Sequence, residues 1–229
     1  MQLHFARSDM LLLGSSVLLA VSYLLFPLAE GSIGNIVQKA SASILLALLA
    51  FRTLEDTHVK KRLTLALLLS ALGDIFLAIR HDDYFTHGLG AFLIAHLVYI
   101  SIFARQLSDR PRKPALSIIC AMVVLFAGLM MVLLWPELGP LKAPVFLYII
   151  VISAMAIMAV LSAFPTVMVS LGAISFLISD ATIAINKFLI PFQMAGSLIW
   201  ITYIAAQILL TLSIISGSST KNAGRMPAS

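Results

Sequence analysis

Charged residues are scarce in this 229-residue chain: Asp, Glu, Lys and Arg make up 11% of it, against roughly 25% in soluble domains. Apolar residues make up 61%, and the mean hydropathy is +1.04. This composition excludes an ordinary soluble domain and is typical of an integral membrane protein. The single cysteine, Cys120, lies in an apolar run. It excludes an internal disulfide and a multi-cysteine metal site, and we interpret it as a small core residue.

The net charge of +5 is compatible in principle with a nucleic-acid partner. The basic residues, however, are scattered through the segments between apolar runs rather than gathered in one patch. We therefore interpret them as topology signals, and no nucleic-acid partner is expected.

The apolar residues fall into eight runs, each close to the about 20 residues that a transmembrane helix needs. The runs cover residues 10–28, 34–51, 63–80, 88–104, 115–134, 144–163, 167–186 and 194–215. They predict an all-α polytopic membrane protein whose domain, residues 1–215, holds eight transmembrane helices in one bundle. Prolines separate several runs, and Pro165 marks the turn between the sixth and the seventh. The Ser- and Gly-rich tail, residues 216–229, is expected to be disordered and cytoplasmic.

The distribution of Lys and Arg predicts the orientation. Of the 15 basic residues, 11 lie in segments on the same side as the N-terminus, and Lys39, Arg80, Lys142 and Lys187 lie on the other side. The positive-inside rule places both termini in the cytoplasm. The expected location is the bacterial cytoplasmic (inner) membrane, with the lipid bilayer as surroundings.

Three ionisable residues interrupt the apolar spans: Asp74, His96 and Asp180. A charge at mid-bilayer costs about 2.5–3.5 kcal/mol, so such residues usually face a bundle interior or an aqueous cavity. At a rise of ~1.5 Å per residue, Asp74 and Asp180 lie about 18 and 20 Å along outward-running spans, and His96 about 12 Å down an inward-running one. Lys39 lies one turn inside the second span at the outer side. If their four helices adjoin, these groups form one polar cluster.

Helical spacing places further polar groups on shared faces. These are Phe92, His96 and Tyr99 on the fourth span, and Trp200, Tyr203 and Gln207 on the eighth. Small residues such as Gly73 and Gly172 permit close helix approach. Residues 73–79 also resemble residues 179–185 in the seventh span. This weak echo occupies equivalent positions of a 4+4 parallel duplication.

Structural roles compete with functional ones at each position. A membrane Asp or His can serve as a hydrogen-bonding group alone, and Lys39 and Lys187 can snorkel to the interface. The polar segment with His81, Asp82, Asp83 and His87 holds metal-ligand types but fits a solvated loop better. Two aspartates and a histidine at similar depth favour a functional site, and no metal is assigned to it.

The motifs at these positions resemble the YhhN-like family of eight-helix membrane proteins, which includes the lysoplasmalogenases. The resemblance covers Lys39 early in the second span, the element Ala71–Asp74, and FxxGLxxFLxxHxxY from Phe85 to Tyr99. It continues with GAxxFxxSD from Gly172 to Asp180, then Ala184, Asn186 and Phe188, and ends with YxxAQ from Tyr203 to Gln207. These motifs span most of the chain.

The resemblance implies hydrolysis of the vinyl-ether bond of a lysophospholipid substrate, a lysoplasmalogen, to a fatty aldehyde and a glycerophospho-base. This reaction needs an acid to protonate the alkene, an anion to stabilise the resulting cation, and a guided water. The implied catalytic residues are Asp74, Asp180 and His96, with one aspartate as the acid and the other as the anion, in an order that the sequence leaves open. The implied substrate-binding residues are Lys39, Tyr99, Asn186, Tyr203 and Gln207. No cofactor is expected, and the sequence does not indicate the oligomeric state.

Two other functions are compatible with the same residues. A small proton- or ion-coupled transporter or lipid carrier would use Asp74, Asp180 and Lys39 as relay or ion-binding groups. The 4+4 echo favours it slightly, whereas the absence of a clear broken helix disfavours it. A metal-dependent membrane lipid hydrolase would use His96, Asp74 and Asp180 as Zn²⁺ ligands, although such sites usually contain more histidines.

Overall fold

The computed structural model describes residues 5–79, 82–107 and 114–223, and these residues form eight α-helices without a β-strand. The helices are α1 (Arg7–Leu25), α2 (Ile33–Thr53), α3 (Thr57–Ala78), α4 (Asp82–Ala104), α5 (Pro114–Leu134), α6 (Lys142–Leu161), α7 (Thr166–Ala184) and α8 (Ala195–Ala223). A 3₁₀ turn (Gly139–Leu141) precedes α6, and a π-helix (Ile185–Leu189) continues α7. The predicted all-α class and the number of helices are confirmed.

The protein is an integral membrane protein, since seven of these helices are long and apolar enough to cross a bilayer. The eighth, α3, falls short because each of its 18-residue stretches contains Lys61, Arg62 and Asp74. This helix is packed between α2 and α4, where Leu63 and Leu67 are fully buried. Of these three charged residues, Asp74 is the one buried inside the bundle, whereas Lys61 is exposed near the start of the helix.

Local capping sets the start of the helices that carry the first half of the site. The hydroxyl of Ser32 accepts the backbone N–H of Asn35 at 3.2 Å and starts α2. The carboxylate of Asp56 accepts the N–H groups of His58 and Val59 at 2.8 and 3.3 Å and starts α3. Such caps satisfy donors that the first turn leaves unpaired.

Helix packing repeats with an offset of four helices. The most extensive pairs are α3–α4 and α7–α8, and across the bundle α2 packs against α8 as α6 packs against α4. Glycines permit both close pairs: a Cβ at Gly73 would lie 2.5 Å from the Phe92 ring on α4, and one at Gly172 would lie 3.0 Å from Leu210 on α8. This pattern is what the parallel 4+4 duplication predicts.

The buried apolar residues form two clusters. The larger one fills the space among α2, α3, α4, α6, α7 and α8. The smaller one consists of Met130, Leu134, Leu138 and Val145, with side chains of the π-helix packed against it. It lies where α5 meets α6 and the π-helix, at the edge of the bundle.

Three predicted boundaries are corrected. The segment interpreted as a solvated loop belongs from residue 82 onward to α4, whose first turns are held by the edge-on contact of Phe85 with Phe188; His81 lies outside the described residues. Helix α8 runs to Ala223 instead of ending at residue 215, because Ser216 is buried and Gly217 packs against Phe164. The predicted tail therefore starts too early, and residues 224–229 lie outside the described part.

The third correction concerns the end of α7, for which the sequence indicated no interruption. The helix widens into the π-helix, where the Ile190 N–H donates to the Ile185 carbonyl at 3.0 Å. Pro191 follows directly and prevents the helix from continuing. Wide turns of this type occur frequently at functional sites.

A candidate active site between two cavities

Asp74 lies in the interior of the bundle, 2% exposed, at the meeting point of α2, α3 and α8. Its Oδ2 accepts a hydrogen bond of 2.7 Å from the Tyr203 hydroxyl and a longer one, 3.5 Å, from the Ser43 hydroxyl. Its Oδ1 lies 3.8 Å from Nζ of Lys39. A buried carboxylate requires such donors or a cation, and Asp74 has both.

Asp180 occupies the corresponding place in the second half, among α4, α6 and α7. Its Oδ2 accepts a short hydrogen bond from the Tyr148 hydroxyl. Nε2 of His96 is 3.9 Å from the same oxygen, beyond hydrogen-bonding distance. The backbone of Phe92, one turn earlier, is also close to the His96 ring, but neither ring nitrogen meets hydrogen-bond geometry with a described group.

An aromatic layer joins the two carboxyl groups. The Phe176 ring lies 4.6 Å from the His96 ring and 5.6 Å from the Tyr203 ring, centroid to centroid. Phe92 contacts Phe176 and Tyr203 edge-on. The cluster predicted around Asp74, Asp180, His96 and Lys39 is thus two adjoining groups, Lys39 with Asp74 and His96 with Asp180.

A cavity of about 510 Å³ opens beside the Asp74 group. Its cationic and amide lining comes from Lys39 on α2 and from Asn186 and Lys187 on the π-helix. Aromatic side chains of α1, α3, α4 and α8, including Tyr23 and Trp200, line the rest together with aliphatic residues. We call it the polar cavity; its size and mixed lining fit a small-molecule site.

A second, narrower cavity of about 60 Å³ lies beside the Asp180 group and is named here the apolar cavity. Its walls are alkyl and aromatic side chains from α3 to α7 and the π-helix, and its polar lining residues are Tyr148, Ser153 and Asp180. The two cavities share Leu77, Phe85 and Ile183 and therefore adjoin.

The remaining predicted substrate-binding residues occupy different positions. Asn186 lines the polar cavity, and its Oδ1 accepts the Phe192 N–H at 3.2 Å. Tyr99 and Gln207 are fully buried and lie behind the aromatic layer, where the Tyr99 hydroxyl donates to Gln207 Oε1 at 2.9 Å. Neither belongs to the lining of these two cavities.

Two residues of the site were missed by the sequence analysis. Ser43 follows Lys39 by one helical turn, so its position on the same face of α2 was available as a signal. Tyr148 is one phenol in the apolar run of α6, and a buried phenol needs a hydrogen-bond partner. The partner, Asp180, is 32 residues away, and a single sequence does not reveal that pairing.

Side chains of the types that bind metals do not cluster in the described part of the chain. No group of three His, Cys, Asp or Glu side chains there is close enough to share a metal ion. Asp74 is bound instead to Lys39 and two hydroxyl groups. The metal-dependent alternative therefore finds no ligand set among these residues.

The two carboxyl groups and their partners are suited to acid-base chemistry on a substrate bond that carries no charge. Two carboxyl groups with unlike partners, one with a lysine and one with a phenol and an imidazole, can differ in protonation and divide the roles of acid and anion. The bundle interior excludes bulk water, which strengthens electrostatic stabilisation of a cationic intermediate.

Comparison with known proteins gives a consistent result. Residues 34–214 match the sequence profile of the YhhN family. A lysoplasmalogenase of Mycobacterium tuberculosis is 38% identical over 195 residues, which cover 82% of this chain and 73% of the relative. The human lysoplasmalogenase TMEM86A is 35% identical over 163 residues, covering 67% and 65%, and human TMEM86B is 32% identical over 151 residues, covering 66% and 62%. No solved structure gives a significant match.

Proposed function

Because the chain belongs to the YhhN family, we propose that it is a membrane-embedded hydrolase of the lysoplasmalogenase type. It cleaves the vinyl-ether bond of a lysoplasmalogen and releases a fatty aldehyde and a glycerophospho-base. Relatives carrying the name lysoplasmalogenase match most of the chain. The observation that carries the proposal is the pair of buried aspartates, each held by a tyrosine hydroxyl beside a cavity.

The reaction consumes one water and needs no oxidant or cofactor. A carboxylic acid donates its proton to the alkene carbon farther from the ether oxygen, and the alkene electron pair forms the new C–H bond. The resulting oxocarbenium ion is attacked by water, whose lost proton restores the carboxylic acid. The hemiacetal hydroxyl then gives up its proton as the bond between its carbon and the glycerol oxygen breaks, and the glycerol oxygen takes up a proton, which yields the aldehyde and the alcohol.

The surroundings of the two aspartates support one acting as the proton donor and the other as the anion. A carboxylate paired with Lys39 and two hydroxyl groups stabilises nearby positive charge, and a second carboxyl group supplies the proton. His96 adjoins Asp180 and holds two ring nitrogens for a water or a proton. The role of His96 in orienting water is part of the proposal.

The polar cavity supports the choice of a phospholipid. Lys39 and Lys187 supply positive charge for a phosphate, and Lys187 also lies 5.2 Å over the Phe85 ring. Aromatic faces in the same lining, such as Trp200, suit the ammonium group of a choline or ethanolamine head. Tyr203 acts through Asp74, while Tyr99 and Gln207 hold the aromatic layer in place.

The experiment is aldehyde release from a lysoplasmenyl lipid by the purified protein in detergent. Wild type is compared with Asp74→Asn and Asp180→Asn, and with Asp56→Asn as the matched control, because asparagine also caps α3. The first two variants lose turnover and the control keeps it. No release by folded wild type, or unchanged turnover with asparagine at both 74 and 180, contradicts the proposal.

We place the protein in the bacterial inner membrane with both termini in the cytoplasm. Support comes from the 11 basic residues on the N-terminal side against four on the other. Alkaline phosphatase, which is active only outside the cytoplasm, tests this as a fusion. It is inactive after Ser229 and active after Leu138 if the orientation is right, and the reverse result overturns it.

A transporter or lipid carrier is the second candidate, and the repeated helix pairing and the π-helix favour it. Transporters built from repeats bind substrate where helices are interrupted near the repeat interface. Flux of protons or lipid into proteoliposomes without lipid cleavage would select this candidate. Cleavage without flux selects the hydrolase.

A further inference from the structure

The apolar cavity differs from an ordinary packing defect in what its wall contains. Most of its lining is hydrocarbon, yet the carboxyl-bearing Asp180 and its partner Tyr148 form part of the wall. Asp74 is not part of this lining. A ligand in the cavity is thus surrounded by apolar groups on most sides and meets one carboxyl group.

The position of the polar cavity next to the apolar one indicates an amphiphilic ligand. Leu77, Phe85 and Ile183 belong to the lining of both cavities. On the polar side of these residues lie Lys39 and Lys187. One molecule with an anionic head and an apolar chain would occupy both cavities at once.

The size of the apolar cavity limits what it holds. One water needs about 10–15 Å³ of such space, so 60 Å³ accommodates roughly four to six methylene-sized groups. That is the beginning of a single hydrocarbon chain and too little for two chains. The remainder of a long chain has to leave the cavity.

The packing of α5 indicates where the chain could leave the cavity. This helix packs chiefly against α6 and makes a smaller contact with the π-helix, and α4 is not among its main partners. Phe126, Ala127 and Met130 of α5 nevertheless face Leu89 of α4 across the cavity. The opposite side of α5 is exposed, as at Leu125, and lies in the position of a lipid-facing surface.

We propose that the apolar cavity seats the first carbons of the substrate's hydrocarbon chain and that the rest of the chain passes between α4 and α5 into the bilayer. This inference rests on the proposed function and names the chain subsite of the same site. A chain seated in this way has its alkene at the wall formed by Asp180. Asp180 is then the proton donor, and Asp74, paired with Lys39, is the anion.

The test fills the cavity from α5, which carries none of the proposed catalytic residues. Ala127→Phe and the milder Ala127→Val narrow the cavity, and Ala121→Phe places the same ring on the exposed face of α5. The probe is a 1-O-alkyl lysophosphocholine, which lacks the alkene and is not cleaved, and its binding is measured in nanodiscs. The added side chain leaves too little room for the lipid chain, and overpacking of this kind weakens binding about tenfold.

The expected result is binding about tenfold weaker in Ala127→Phe and several-fold weaker in Ala127→Val, with Ala121→Phe equal to wild type. Equal binding in folded Ala127→Val and wild type overturns the chain subsite. Should wild type bind the probe in this Ala127-dependent way but release no aldehyde from the alkenyl lipid, the proposed function fails and the subsite stands. If wild type and the Ala127 variants bind the probe equally and release aldehyde at the same rate, the chain subsite is wrong and the proposed function stands.

Discussion

The Tyr203 hydroxyl on α8 donates a 2.7 Å hydrogen bond to Asp74 on α3. In the other half of the bundle, Tyr148 on α6 donates to Asp180 on α7. Each aspartate meets one helix of its own half and one of the other half: Asp74 meets α2 and α8, and Asp180 meets α6 and α4.

The two halves therefore share the packing of their helices, but the aspartates in them have different partners. The position of Lys39 beside Asp74 has no lysine or arginine counterpart beside Asp180 among the described residues. His96 and Tyr99 on α4 have the same spacing as Trp200 and Tyr203 on α8. The two carboxyl groups consequently have different partners, which is what an acid and an anion require.

Tyr148 provides the first prediction. Tyr148→Phe removes the hydrogen bond to Asp180 and lowers kcat for lysoplasmenyl lipid by about 10²-fold, the lower range for an acid-base group. KM stays nearly unchanged, because the phenol acts on the carboxyl group and not on the lipid head. Tyr84→Phe, on the exposed start of α4, is the control. A rise in KM without loss of kcat would show that Tyr148 serves chain binding instead.

Lys39 provides the second prediction. Lys39→Met removes one of the two lysines that line the polar cavity and raises KM for the phospholipid about tenfold, which corresponds to about 1.4 kcal/mol. Lys142→Met is the matched control, since Lys142 lies 5.2 Å over the Trp135 ring and outside both cavities. A 1-alkenyl glycerol, which has no phosphate, distinguishes the two roles of Lys39. If its KM rises as much, Lys39 acts through Asp74 and not on the phosphate.

The elements that the sequence predicted well are those fixed by local chemistry. Apolar runs of membrane-spanning length and intervening prolines located the helices to within a few residues in most cases. Asp74, Asp180 and His96 stood out because charge is costly in such runs. The depth of Lys39 along the second span predicted that it lies near the carboxyl groups, without indicating that Asp74 is its partner.

The features that escaped prediction depend on tertiary contacts. Tyr148 looks like any aromatic residue of a span until α6 is placed against α7. The π-helix is a change in hydrogen-bond register, as in the bond from the Ile190 N–H to the Ile185 carbonyl, and no residue type requires it. The division into two groups arises from Phe176 on α7, whose central position results from its ring contacts with α4 and α8.

Gly73 provides the third prediction, which concerns stability. A Cβ at this position would lie 2.5 Å from the Phe92 ring, so Gly73→Ala forces α3 and α4 apart or displaces the ring. The expected loss is about 1–3 kcal/mol in the free energy of unfolding, measured as a lower melting temperature in detergent. Gly90→Ala on α4 is the control, because nothing lies within 4 Å of its added methyl group. That control is neutral or slightly stabilising, since alanine favours helix over glycine.

His96 provides the last prediction, in which stability and activity change in different directions. The imidazole is fully buried, and neither nitrogen has a hydrogen-bond partner in the described part of the chain. His96→Leu replaces two buried polar atoms by a hydrocarbon side chain of similar size, which removes the cost of burying them. We therefore expect an unchanged or higher melting temperature together with turnover reduced by about 10²-fold, as for loss of an acid-base group. His87→Leu, an exposed position of the same helix, controls for the change of residue type. If His96 only fills space, turnover in His96→Leu will instead follow the fraction of folded protein, and kcat per folded molecule will not change.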